Sequence, residues 1–127
     1  MFKDTKAFSS FSVDDLKKAK KFYGKTLGLR VKETPEGLVV HIKGGAEIFI
    51  YPSNDYTPPE HTVLNFLVDN IEQAVDELTK RGVHMEQYDM PGFKTDEKGI
   101  VRGERGPKAI AWFKDPADHI LAVIQEK

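Results

Sequence analysis

The sequence predicts an α+β fold built from two tandem βαβββ modules, and three observations carry that expectation. The first is an internal repeat. Residues 7–19 (AFSSFSVDDLKKA) resemble residues 62–74 (TVLNFLVDNIEQA): at a constant offset of 55, Phe11 matches Phe66, Val13 matches Val68, Asp14 matches Asp69, Leu16 matches Ile71 and Ala19 matches Ala74. One residue of slippage then pairs Gly28-Leu29 with Gly82-Val83. The second is a stripe at helical spacing after each repeat start, followed by short strand-like apolar runs. The third is punctuation: seven prolines and ten glycines fall mostly between these elements, where turns need them. At 127 residues the chain suits a single domain, 1–127, with modules at 6–57 and 61–127 and a linker around Pro58-Pro59.

The elements follow in order. Each first strand ends at an aspartate, Asp14 or Asp69, placed to cap the helix by accepting a bond from an early backbone N–H. Glu72 stands three residues after Asp69, the capping-box spacing. Leu16, Ala19, Phe22, Tyr23 and Leu27 then line one face of the first helix, and Ile71, Ala74, Val75 and Leu78 one face of the second. Both helices stop at a glycine, Gly28 and Gly82, suited to the left-handed turn at a helix end.

Three strands are expected after each helix: 29–34, 38–42 and 47–51 in the first module, and 83–88, 109–114 and 119–125 in the second. Pro35-Glu36-Gly37 and Gly44-Gly45 break the first set, and Asp115-Pro116 turns the chain between the last two strands. Residues 120–124 (ILAVI) have no polar side, as in a strand buried on both faces. Residues 91–107 form a long, glycine-rich, charged stretch that reads equally as a binding loop or as a solvated hairpin extension. Arg102 and Arg105 within it are placed to reach an anionic group on a ligand.

Composition removes several function classes. Charged residues are 31% of the chain but mixed in sign, with a net charge of −1, so the clustered basic surface of a nucleic-acid protein is not expected. No apolar run has the length of a membrane span, and residues 1–6 (MFKDTK) lack a signal peptide's apolar segment. The absence of cysteine excludes disulfides, thiolate catalysis and cysteine metal sites. A cytoplasmic protein is the expectation.

Residues 12–29 (SVDDLKKAKKFYGKTLGL), residues 66–74 (FLVDNIEQA) and Phe113-Lys114-Asp115-Pro116 together resemble the vicinal oxygen chelate superfamily of glyoxalase I, bleomycin-resistance proteins and extradiol dioxygenases. The resemblance covers nearly the whole chain. It implies a curved mixed sheet from the two modules around a cleft, and, in metal-dependent members, a ligand near the start of each first strand and another in each last strand. Counted back from the capping aspartates, those positions are Phe8 and Val63, with Phe49 and Ala122 in the last strands. None can bind a metal, so no metal or other cofactor is expected. The alternative is a divalent metal with ligands elsewhere: His61 lies two residues before Val63 on the same strand face, and His41, His84 and His119 remain. His84 and His119 read as solvated surface residues.

Strand alternation then sorts the ligand-facing side chains. Phe8, Ser10 and Ser12 face the cleft in the first strand, and His61, Val63 and Asn65 in its repeat. Phe49 and Tyr51 line it from the fourth strand together with Glu47, and Ala122 from the last, while Trp112 and His41 lie on neighbouring strands with their facing unassigned. With Arg102 from the loop, this is an apolar, aromatic surface with a few polar points, the make-up of a small-molecule site. The same residues also suit a filled core. An open cleft predicts that Ala122→Glu costs less than about 1.5 kcal/mol. The expected function is metal-free binding of a small, partly aromatic molecule by a homodimer. The alternatives are a metal-dependent lyase or dioxygenase, or a metal-independent isomerase using His41, Glu47 or Tyr51 as acid or base.

Overall fold

A computed structural model describes residues 1–103 and 108–127. The chain divides into two compact units, Met1–Thr57 and Pro58–Lys127. Each contains a four-stranded mixed sheet with a helix on one face, the expected α+β, βαβββ architecture.

In the first unit β1 (Ser9–Val13) leads into α1 (Leu16–Lys21), which continues as a π-helical turn over Phe22–Thr26. The strands β2 (Arg30–Thr34), β3 (Gly37–His41) and β4 (Glu47–Pro52) follow, and the sheet order is β1-β4-β3-β2. β1 runs parallel to β4, and the other pairs are antiparallel. The register sets Leu38 opposite Ile50 and Val40 opposite Ile48. These four, with Val13, Ala19, Phe22 and Tyr23, are buried and form the core between sheet and helix. Each aliphatic side chain removed from water in this way contributes on the order of 2 kcal/mol. Gly37 is required by packing: a Cβ there would collide with the Ile50 carbonyl oxygen.

The second unit repeats the plan with β5 (Thr62–Leu67), α2 (Ile71–Lys80), a small hairpin of β6 (Asp89–Met90) and β7 (Phe93–Lys94), then β8 (Ile100–Arg102), β9 (Ala109–Lys114) and β10 (Ile120–Gln125). Its sheet order is β5-β10-β9-β8. Ala109, Ala111, Phe113, Leu121 and Val123 are buried, as are Ile71, Val75 and Leu78 of α2, which packs on β9 and β10. The Gln125 side chain accepts a hydrogen bond from the Ile71 N–H at 2.9 Å, fixing the start of α2 to the end of the sheet. Among the described residues no helix is long and apolar enough to cross a membrane.

Three expectations are corrected. The helix caps are Asp15 and Asn70, one residue later than Asp14 and Asp69: Asp15 accepts from the Lys18 N–H and Asn70 from the Gln73 N–H, each at 3.1 Å. Both shift together, so the offset of 55 survives. Residues 83–88 form no strand and touch the sheet through a single bridge, Met85 to Phe113, and the Glu86 N–H donates to the Trp112 carbonyl at 2.9 Å. The rest of that outer position on β9 is filled by β8, drawn from the stretch that reads equally as a binding loop or a hairpin extension. His119 is not solvated but 1% exposed, with Nδ1 2.8 Å from the Asp115 carboxylate. The glycines behave as expected, with Gly28 at φ 72° and Gly82 at φ 91°.

Candidate functional site

The face of the first unit's sheet that α1 does not cover carries most of the candidates. Ser10 pairs with Phe49 and Ser12 with Tyr51, so their side chains share that face. Opposite Phe49 on the other side lies Val39, and opposite Glu47 lies His41. The register thus assigns the facing of His41 that alternation alone leaves open. On this face Tyr51 is 40% exposed and Phe8, just ahead of β1, is 68% exposed. The Phe49 and Tyr51 rings stack with centroids 5.9 Å apart and planes 19° from parallel. Phe8, Thr34, Glu36, Val39, Glu47 and Phe49 enclose a depression of about 310 Å³. Val39, Thr34 and Glu36 were not singled out by sequence; Val39 was legible once β3 was paired to β4, because cross-strand partners share a face.

His41 Nδ1 lies 3.1 Å from a Glu47 carboxylate oxygen, and both side chains are partly exposed. A carboxylate at one imidazole nitrogen orients the ring and leaves the other nitrogen to exchange a proton. Tyr51 stands four residues along β4 from Glu47, about 13 Å at the strand rise. It does not join that pair.

In the second unit Asn65 and Trp112 flank Ala122 on neighbouring strands, which places all three on one face of the sheet. Asn65 and His61 are exposed, Val63 and Trp112 half-buried. Ala122 is 0% exposed, so its side chain is not open to solvent. Tyr88 and Phe93, which no sequence signal singles out, both meet Trp112 in T-shaped contacts, with centroids at 5.6 and 5.4 Å. The hairpin that brings them is pinned by Thr95, whose hydroxyl accepts from the Tyr88 N–H at 2.9 Å and lies 3.1 Å from both the Gln87 side-chain oxygen and the Tyr88 carbonyl. Burial raises the Tyr88 pKa above 10.0, reinforced by Glu86 and opposed by Lys114. Arg102 does not share the Trp112 face: it pairs with Ala109 in the register and its guanidinium lies 3.6 Å from Glu72 on α2. Arg105 lies outside the described residues.

A resident divalent ion does not fit these side chains. Phe8, Phe49, Val63 and Ala122 offer no nitrogen, oxygen or thiolate donor. His41 and Glu47 supply two donors, and among the described residues no group of three or more His, Asp or Glu is gathered to complete a set.

Comparison with known proteins places the architecture. The family model described as Glyoxalase/Bleomycin resistance protein/Dioxygenase superfamily matches residues 8–123. Among solved structures, a glyoxalase family protein from Enterococcus faecalis superposes with a TM-score of 0.67 at 20% identity, covering 98% of this chain and 99% of that one. TnmS3, an antibiotic binding protein from Streptomyces sp. CB03234, gives 0.63 at 22% identity, covering 98% of each chain. The genomically encoded fosfomycin resistance protein FosX of Listeria monocytogenes gives 0.66 at 19% identity, covering 98% of this chain and 94% of that one. No curated protein matches the sequence.

Proposed function

The chain belongs to the Glyoxalase/Bleomycin resistance protein/Dioxygenase superfamily, and from that premise we propose that it binds a small, partly aromatic molecule on the exposed face of the first unit's sheet, without a metal ion. The observation that carries this reading is the depression of about 310 Å³ walled by Phe8, Val39 and Phe49, with the Phe49–Tyr51 stack beside it. Apolar and aromatic surface left open in a concavity is what a flat ligand displaces water from. Ser10 and Ser12 on the same face add hydroxyl groups that orient a ligand rather than hold it. That TnmS3, similar in fold, is an antibiotic binding protein supports a small-molecule binding role.

A second reading rests on the His41–Glu47 pair at 3.1 Å, which suits a metal-independent proton transfer on a ligand held at the same depression. The two are separated by titrating the protein with a panel of flat aromatic molecules and following both affinity and conversion. Phe49→Ala weakens binding by about tenfold, the equivalent of one aromatic contact of about 1.4 kcal/mol. His41→Gln leaves affinity and bound compound unchanged if the protein only sequesters, and abolishes conversion if it is an isomerase. Equal affinity in wild type and Phe49→Ala defeats both.

A further inference from the structure

The helix α1 carries a feature that ligand binding on the opposite sheet face does not use. Lys17, Lys20, Lys21 and Lys25 rim a depression of about 470 Å³ whose floor is Gly24, Leu29 and Val31. Lys17, Lys21 and Lys25 recur every fourth residue, a spacing at which like charges repel and weaken a helix. The helix dipole favours lysines in the last turn but disfavours Lys17 in the first. Among the described residues only Lys20 of these four has an acidic partner, Glu33 at 3.2 Å. The repeat supplies an internal control. On α2 the acids Glu72, Asp76 and Glu77 are matched by Arg102, Lys98 and Arg81, at 3.6, 3.0 and 3.0 Å.

Gly24 is the second observation. It lies within the helical segment and its φ is outside the left-handed region, so the backbone does not need glycine there. A Cβ would sit 3.7 Å from Val31, an ordinary contact, so packing does not need it either. Alanine would fit and would make a better helix. What glycine preserves is open space beside Val31 in a depression lined by four lysines.

We infer that this depression is a binding site for a small organic anion that combines a multiply charged group with an apolar body, a phosphate monoester being the simplest member. The ammonium groups take the phosphate oxygens as point charges, and the apolar body lies on Leu29 and Val31. The test is calorimetric titration with phenyl phosphate, inorganic phosphate and phenol. Phenyl phosphate binds this site one per chain, about tenfold more tightly than inorganic phosphate, the gain from burying about 55 Å² of apolar surface, and phenol does not displace it. Lys21→Gln with Lys25→Gln weakens the site. Gly24→Leu fills the floor, folds with an unchanged circular dichroism spectrum and removes the preference for phenyl over inorganic phosphate. Phe49→Ala leaves all of this intact, which keeps the site separate from the ligand face. Equal affinity for the two phosphates, a preference that survives Gly24→Leu, or capture by anionic vesicles without phenyl phosphate binding overturns the inference.

Discussion

At the scale of single residues, Asp115 closes the turn between β9 and β10 by itself. One carboxylate oxygen accepts from the Ala117 and His119 N–H groups at 2.9 and 2.8 Å, and the other lies 2.8 Å from His119 Nδ1. All of this is buried, so Asp115→Ala strips partners from groups that water cannot reach. A loss of about 3 kcal/mol or more is expected in denaturant melts, provided the slopes match. The sequence showed the turn, through Asp115-Pro116, but not the burial of His119, because a histidine beside a turn looks solvated until its partner four residues back is known. Ala122 is the opposite case. Its strand was legible as buried on both sides, yet its place among ligand residues suggested access. At 0% exposure a glutamate there is desolvated and overpacked, so Ala122→Glu costs about 3 kcal/mol or more rather than the mild loss an open position allows. A loss below about 1.5 kcal/mol would show that the strand yields to solvent. The ligand proposal does not depend on this position, since it rests on the first unit.

At the scale of elements, the helices and their caps were legible to within a residue because capping chemistry and helical spacing are local signals. The outer edge of the second sheet was not. Residues 83–88 look like a strand, but only Met85 bridges to the sheet and the chain leaves before returning at β8. Local propensity cannot announce that excursion; what holds it is tertiary, the Thr95 hydroxyl and the packing of Tyr88 and Phe93 on Trp112. Tyr88 reports on this packing. Because burial raises its pKa above 10.0, the neutral phenol is the form the folded state favours. The sign follows: the stabilisation is fully present below pH 10.0 and is lost as the pH rises through the higher folded value. Melting temperatures taken between about pH 9 and about pH 12 should therefore fall more steeply for wild type than for Tyr88→Phe. Parallel curves would mean that the hairpin leaves Tyr88 in water.

At the scale of the whole molecule, the repeat at offset 55 is what made the fold readable, since two copies of one weak pattern constrain each other where a single copy would not. The candidate site was legible only in part. Alternation placed Phe8, Ser10, Phe49 and Tyr51 on one face, but joining His41 to Glu47 and adding Val39 needed the strand pairing itself. The remaining question at this scale is assembly. Phe2 and Leu67 are 73% and 69% exposed, Phe8 68% and Met90 50%. A symmetric homodimer that covers some of these side chains is the expected state, because a two-fold interface buries each apolar group it uses twice over. Light scattering at tens of micromolar, a concentration at which specific interfaces generally hold, should return twice the chain mass. Replacing Leu67 with aspartate should shift the mass toward one chain if that end of β5 lies in the interface, with the melting curve of the monomer retained. A single-chain mass for the wild type at that concentration would refute the dimer and leave the exposed aromatics of the first unit, Phe8 and Tyr51, to be explained by a ligand alone.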